Sequence, residues 1–500
     1  MTKKILVTGA TGYVGGRLVP LLIEAGHDVR IFARDSKRLR DYSWANAVEI
    51  IEGDARDQGA VNKATKDIDV VYYLLHSVYE GKDLARFEDE IANNFAKSTL
   101  GNDVKRIIYL GGIINESKSE LSTHLSSRLN TGEILRNSGV PTIEFRAAVI
   151  IGSGSASFEM LRYLTERLPF MITPKWLNSR IQPIAIRDVL RYLVKAATVK
   201  ETINDHFDIG GPDVLTYESM MQKYAAVAGL RKRIIVTVPI LTPQLSSHWV
   251  NLVTPVPRRV ARPLINSLTS EVVAADERVK DVISDPKEGL LSFDIAVKYA
   301  LDKVINANVD TRWSTSLSST ERSDAKPSDP LPTDPDWTGG TLYIDERKQK
   351  YTGSVDILWQ VIESIGGKNK WYSFPLAWEV RGLLDRIVGG VGIRRGRRDA
   401  KYLRVGETVD FWRVDEIVQG EMLLLVAEMK LPGKASLLLS IEEGQSKDEK
   451  EFHLVATFRP KGLAGHLYWW IIRPFHGIIF GSMVKRIPAK ALELSAEAIN

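Results

Sequence analysis

The chain opens with Lys3-Lys4-Ile5-Leu6-Val7-Thr8-Gly9-Ala10-Thr11-Gly12-Tyr13-Val14-Gly15-Gly16, and the order of residue types in this stretch decides the fold. Ile5 to Val7 is a short apolar run, glycines follow at 9, 12 and 15, and Leu18, Leu21 and Leu22 then recur at helical spacing. This is strand, tight turn, helix. Gly9 lets the chain turn sharply, Gly12 lets backbone N–H groups approach a pyrophosphate with no Cβ in the way, and Gly15 lets the helix pack close to the strand. The phosphates would lie on the helix N-terminus, where unpaired N–H groups and the macrodipole favour anions. A second strand, Val29 to Ala33, follows Ala25-Gly26. The stretch therefore implies a dinucleotide site, the alternative being a tight βα turn without a ligand.

At 500 residues the chain has room for two or three domains, each with its own core. Hydrophobic residues at 44% and charged residues at 26% are ordinary for a globular protein. No cysteine is present, which excludes disulfides, thiolate metal sites and cysteine nucleophiles and favours a reducing, cytoplasmic setting. A net charge of +5 is small for this length, so no nucleic-acid partner is expected. The first apolar run is too short for a signal peptide.

The end of the second strand bears on which dinucleotide is preferred. A carboxylate there would bond the ribose 2′-OH of NAD and repel a 2′-phosphate, whereas this chain has Phe32-Ala33-Arg34, with Lys37 and Arg38 beyond. That favours NADP, unless Asp35 takes the hydroxyl instead. A third strand, Val48 to Ile51, runs into Gly53-Asp54-Ala55. A fourth, Val70 to Leu75, ends in His76-Ser77, and a fifth, Arg106 to Leu110, ends in Gly111-Gly112 after helical residues around Phe87 to Leu100. Strands alternating with helices predict an α/β fold, a doubly wound parallel Rossmann sheet with ligands at the strands' C-terminal ends.

The spacing T-G-x-x-G-x-x-G from Thr8 to Gly15 resembles the atypical and extended short-chain dehydrogenase/reductase family, NmrA-like members included. Later landmarks agree: Glu144-Phe145-Arg146 before Ile150-Ile151-Gly152, Gln182-Pro183-Ile184, Asp188-Val189, and Phe207 to Pro212. The resemblance covers about residues 1–312 and implies a cofactor-contacting set of Thr8, Gly9, Thr11, Gly12, Tyr13, Val14 and Gly15, with Arg34, and with Asp54 and Ala55 beside the adenine. It also implies a Tyr-x-x-x-Lys pair on the helix after the fifth strand and a Ser at that strand's end, and here the chain departs. Gly111 and Gly112 stand where the Ser is expected, and the best register for the pair is His124-Leu125-Ser126-Ser127-Arg128. The i,i+4 spacing keeps His124 and Arg128 on one helix face. A nearby cation disfavours a protonated histidine, so His124 is expected to be mostly neutral at pH 7 and a poor acid. His76 is the other histidine expected near the nicotinamide. Both histidines could equally be ordinary polar residues lining the site.

Residues 313–340 are rich in Ser, Thr, Asp and Pro and read as a linker. In residues 341–500, a helix at Trp359 to Ile362 is followed by strand-like runs at Thr408 to Val414, Met422 to Met429, Ala435 to Ile441 and Phe452 to Phe458, as in an antiparallel meander. With a long apolar segment from Leu463 to Val484, this resembles the α+β helix-grip domain of the START and polyketide-cyclase superfamily. It also resembles a domain of unknown function that follows atypical reductase domains in bacterial two-domain proteins, on Asp410-Phe411-Trp412, Lys430-Leu431-Pro432-Gly433 and Tyr468-Trp469-Trp470. The resemblance implies an elongated apolar cavity for a hydrophobic ligand, although the aromatic residues could instead fill the core.

The histidines His453, His466 and His476 lack metal-ligand spacing or carboxylate company, so no metal is expected. The run Arg394-Arg395-Gly396-Arg397-Arg398 reads as a solvated loop that could also meet phosphates. In the last apolar segment each large aliphatic contributes about −0.3 to −0.6 kcal/mol to insertion, while central Arg473 costs roughly 2.5 to 3.5 kcal/mol. That makes a span unfavourable; a helix buried on its own sheet is expected, with peripheral membrane contact as the alternative. Two functions fit these features: an NADP-dependent oxidoreductase acting on an apolar carbonyl or quinone-like substrate, or a non-catalytic NADP-binding sensor whose C-terminal domain binds a lipid or partner.

Overall fold

The computed structural model describes residues 2–39, 42–75, 84–114, 123–238, 254, 256, 265, 271–301, 339–366, 371–372, 402–429, 431–444 and 449–497. Two compact units emerge, Met1–Gly340 and Thr341–Asn500. Most of the stretch read as a linker lies outside the described residues, as does the basic run at 394–398.

In the first unit, β1 (Lys4–Thr8), β2 (Asp28–Ala33), β3 (Glu49–Glu52), β4 (Val70–Tyr73), β5 (Arg106–Gly112) and β6 (Thr142–Ala147) join β11 (Asp205–Ile209) in one parallel sheet. Between and beyond these last two, β7 (Ile150–Ile151) pairs with β10 (Ile184–Ala185), β8 (Phe170–Pro174) with β13 (Ile234–Val238), and β9 (Arg180–Ile181) with β12 (Leu215–Thr216). The order β11-β6-β5-β4-β1-β2-β3 reverses direction at β1, so a crevice opens at the C-terminal ends of β1 and β4.

The sheet is covered on both faces, which is why its strands are continuous apolar runs. Side chains alternate between faces along a strand, and the core divides accordingly. Ile5, Val7, Ile31, Val70 and Tyr72 pack with Leu18, Val19 and Leu22 of α1 (Tyr13–Glu24) and Val189, Leu190 and Leu193 of α6 (Ile186–Ala196). Leu6, Phe32, Val71 and Tyr73 pack on the other side with α2 (Gln58–Thr65), α3 (Leu84–Gly101) and α4 (Thr123–Arg136), through Val61, Ala64, Phe95 and Leu135. A further core gathers α5 (Ala156–Arg167) and α7 (Tyr217–Val227), with Phe158, Tyr163, Met220 and Tyr224 buried.

The second unit is mainly antiparallel sheet. Its strands are β14 (Tyr343–Tyr351), β15 (Thr408–Val409), β16 (Trp412–Val418), β17 (Met422–Ala427), β18 (Gly433–Glu443) and β19 (Lys450–Pro460), in the order β14-β19-β18-β17-β16-β15. The run read as one strand from Thr408 to Val414 is a hairpin, turning at Asp410, whose φ of 57° breaks the extended backbone. Helices α8 (Val355–Glu363) and α9 (Gly462–Glu497) share one core with the sheet face that carries Leu423, Leu425, Leu437, Leu439, Phe452 and Leu454. Trp359, Trp371, Phe411 and Trp412 belong to that core rather than to an open surface. Trp359 Nε1 donates to Gln419 Oε1 at 2.7 Å, and Trp371 Nε1 to Asp410 Oδ2 at 2.7 Å.

The fold corrects the expectation that His476 and His453 lack carboxylate company. His476 Nδ1 lies 4.0 Å from Asp345 Oδ2. Both ring nitrogens of His453 face a carboxylate, Nδ1 at 3.4 Å from Glu442 and Nε2 at 3.2 Å from Glu451, although the described residues form no group of three or more metal-ligating side chains.

Leu425 is fully buried at the centre of this second core. Leu425→Ala should lower the stability of the C-terminal unit by about 2–5 kcal/mol, read as an earlier tryptophan-fluorescence transition in urea, with nucleotide binding by the N-terminal unit unchanged.

Candidate functional site

The crevice is held open by Thr8, whose hydroxyl donates to Tyr72 O at 3.0 Å and accepts from Leu74 N at 3.0 Å, tying the ends of β1 and β4 together. Gly9 follows with φ 68°, and a Cβ there would come within 2.5 Å of Leu74 O. A Cβ on Gly15 would lie 2.4 Å from Gly9 O. Both glycines are thus demanded by backbone packing. Gly12 differs, since its Cβ would meet only Gly9 O, at 3.1 Å. Its remaining surroundings are open, and α1 starts directly after it with no side-chain cap hydrogen bond. A helix N-terminus left uncapped behind an open glycine fits a pyrophosphate, so the turn has room and donors for the dinucleotide that the sequence implies.

Two residues that sequence reading passed over stabilise this turn. Arg17, only 4% exposed although charged, donates to Tyr13 O at 3.2 Å and Ser153 O at 3.1 Å, with its guanidinium 4.2 Å from the Tyr13 ring centroid. Glu52 accepts from Ser36 N at 3.1 Å and so fixes the loop that carries Arg34. A charged residue on the apolar side of α1 was the available signal for Arg17; nothing local marks Glu52, which neighbours Ala33 only through β2–β3 register.

At the same end of the crevice Arg34 is exposed, while Asp35 Oδ1 accepts from Lys37 N at 3.0 Å within its own turn. Asp54, expected beside the adenine, accepts from Arg56 N at 2.9 Å and pairs with the Arg56 guanidinium at 2.6 Å. Those bonds, with help from the charge of Arg34, hold its carboxyl down at about 2. Ala55 is buried next to it. Arg56 in turn lies over Phe87, 5.8 Å from the ring centroid. Arg34 and Arg56 thus bring two guanidinium groups to this corner, one of them paired with Asp54.

Around β5 the expected catalytic residues are only partly brought together. His76 lies outside the described residues; His124 is on α4, one turn before Arg128, and its side chain is outside them too. Arg128 Nη2 donates to Leu110 O at 2.8 Å, and its Nε is buried with no hydrogen-bond partner among the described residues. That Nε lies 3.9 Å from where a Gly112 Cβ would be, so one unused N–H is available beside the end of β5. Tyr109 donates to Arg128 O at 3.2 Å, and burial pushes its hydroxyl up to about 12. The glycine in place of a serine has a structural reason. Glu144, 1% exposed between Arg136 and Arg146, would lie 3.2 Å from a Gly111 Cβ, leaving little room for a longer side chain.

Residues 9–140 match a family model described as NAD(P)H-binding, and residues 337–483 match one described as a protein of unknown function, DUF2867. Residues 9–140 therefore belong to an NAD(P)-binding Rossmann domain. The chain is 30% identical over 152 residues to phenylcoumaran benzylic ether reductase POP1 of Populus trichocarpa, covering 28% of this chain and 47% of that protein. It thus spans about half the length of that relative. It is 25% identical over 231 residues to (4-alkanoyl-5-oxo-2,5-dihydrofuran-3-yl)methyl phosphate reductase of Streptomyces griseus, covering 45% of this chain and 74% of that protein. The triphenylmethane reductase of Citrobacter sp. complexed with NADP(H) overlays on 60% of this chain and all of its own, with 18% identity and a TM-score of 0.48.

The different demands on the glycines give a test. Gly12→Ala should weaken nucleotide binding at least tenfold, about 1.4 kcal/mol, with little change in thermal stability. Gly15→Ala should lower the melting temperature as well, because its Cβ meets backbone. Calorimetric titration and thermal unfolding of the two variants check this.

Proposed function

We propose that the chain is an NADP-dependent oxidoreductase of the atypical short-chain type, acting on an apolar carbonyl or quinone-like substrate held by its C-terminal unit. The observation that carries the nucleotide part is the open approach at Gly12 together with exposed Arg34. Backbone N–H groups at the start of α1 hold the pyrophosphate, and Arg34 and Arg56 bind the 2′-phosphate by charge-assisted hydrogen bonds. The reduced nicotinamide, when bound, supplies a hydride. Arg128 orients an oxygen at the end of β5 through its unused Nε N–H and stabilises negative charge there. A guanidinium does not release a proton near neutral pH, so the proton must come from His124 or water. The reductase activities named for the two curated relatives support the reaction class.

For the C-terminal unit the reading is a helix-grip, START-like domain. A strand, a helix, further antiparallel strands and a long last helix on one sheet face support it. The second reading, a non-catalytic NADP-binding sensor or scaffold, is favoured by Gly111-Gly112 where the family's Ser is expected and by His124 and Arg128 in place of the Tyr-x-x-x-Lys pair.

NADPH should bind at least tenfold more tightly than NADH, and Arg34→Ala should remove most of that difference, as calorimetric titration with both nucleotides will show; equal affinities would sink the NADP assignment. For the chemical step, His124→Ala should leave NADPH affinity within a few fold, while His124→Tyr should raise the rate of quinone-dependent NADPH oxidation. Loss of activity in both variants would make His124 itself the acid, and no NADPH oxidation by the wild-type chain with any apolar acceptor would favour the sensor reading.

A further inference from the structure

Helix α9 has two apolar sides, and among the described residues only one of them is covered. Its inner side approaches the sheet so closely that a Cβ on Gly465 would lie 2.4 Å from Pro432 O, and Trp469 stacks between Tyr343 and Phe458 at centroid distances of 4.9 and 6.0 Å. Further along, Phe480, Met483, Val484 and Ile487 are buried in the same core. On the outer side Leu463, Leu467, Trp470, Ile471, Phe475 and Ile478 are exposed, Ile471 by 68% and Ile478 by 61%. At 3.6 residues per turn these six fall within an arc of roughly 140°. Scattered exposed apolar residues need no explanation, but a continuous stripe over four turns does.

The charges that α9 itself carries along the stripe have one sign. No Asp or Glu occurs between Lys461 and Leu492, while Arg473, Lys485, Arg486 and Lys490 do. Arg473 and Arg486 flank the two sides of the stripe, Lys485 continues its face, and the Arg473 guanidinium lies 5.3 Å from the Trp470 ring centroid. Pairing this face with a second copy would bring these cations together without counter-charges, which disfavours a symmetric dimer. A surface that is apolar along its centre, anionic around it and able to accept an indole at its boundary is a lipid headgroup layer. No helix among the described residues is long and apolar enough to cross a membrane.

We propose that the outer face of α9 docks flat on an anionic lipid surface, with the stripe from Leu463 to Ile478 in the headgroup boundary and Arg473, Lys485 and Arg486 on lipid phosphates or carboxylates. The inference does not depend on the nucleotide reading.

The test is flotation of the full chain with phosphatidylcholine vesicles and with vesicles containing about one third phosphatidylglycerol, at low and at physiological salt. Binding should be at least fivefold greater to the anionic vesicles and weaken with salt. Ile471→Glu with Phe475→Glu should abolish it, and Lys485→Glu with Arg486→Glu should reduce it about fivefold or more. Trp470→Phe should remove most of the vesicle-induced blue shift in tryptophan emission. All three variants should keep their NADPH affinity, which separates failure of this proposal from failure of the nucleotide assignment. Binding to neither vesicle, or binding unaffected by Ile471→Glu with Phe475→Glu, overturns the proposal. So does a dimer in light scattering that Ile471→Glu converts to monomer without vesicle binding, which would make a second copy the occupant.

Discussion

The N-terminal unit depends on how closely Gly9 approaches the end of β4. With φ 68° and a missing side chain, Gly9 lies against the Leu74 carbonyl, while Thr8 bonds Tyr72 and Leu74 on either side of Tyr73. β1 and β4 are the neighbours across which the sheet reverses its order, so this contact fixes the width of the crevice. Gly15 then brings α1 down onto the same turn, which aims the helix N-terminus at the opening. Four side-chain and backbone requirements thus meet within eight residues, and none of them involves the ligand. Gly12 is the exception, and that contrast separates what folding demands from what nucleotide binding demands.

Electrostatics around the crevice follow the same division. Arg136 and Arg146 are spent on Glu144, a buried carboxylate that would be costly without them and that also restricts the chain at Gly111. Arg34 and Arg56 remain at the surface, with Asp54 as their counter-charge. Because the folded carboxyl of Asp54 titrates at about 2, below an ordinary Asp near 3.9, the pair contributes stability above that ordinary value and loses it as pH falls through about 2. Both partners are largely exposed, with side-chain exposures of 41% and 53%, so solvent screening keeps the contribution small. Such a pair constrains Arg56 only weakly, leaving its guanidinium able to turn to a phosphate.

Much of this was legible in the sequence where the signal was local. The strand-turn-helix at Lys3 to Gly16, the βα alternation and the parallel sheet are written in apolar runs and glycine spacing, and the meander of β16 to β19 is written in alternating residues. What was missed depends on pairing across distance. β14 reads Tyr-Ile-Asp-Glu-Arg-Lys-Gln-Lys-Tyr and lacks any apolar run, yet it pairs with β19 along its whole length as an edge strand. Charged residues suit an edge, so a strand there carries no apolar signal in the sequence. Glu442 likewise becomes a neighbour of His453 only through the β18–β19 register, whereas Glu451 is two residues away on β19 itself.

Helix α9 shows the limit of periodicity from the opposite direction. Apolar residues on both its faces give no single stripe, so sequence alone could not tell which side would meet the sheet. A small residue decides it: Gly465 allows close approach to Pro432 and Pro460, and Trp469, His476 and Phe480 follow on the same side in a chain of edge-to-face contacts at 5.0 and 4.8 Å. Once that side is taken, the large aliphatics between Leu463 and Ile478 are left outward, with the cations beside them. Among the described residues helices cover one face of the six-stranded sheet, and α8 already occupies part of it. Among the described residues the outward stripe therefore has no sheet face left to pack on.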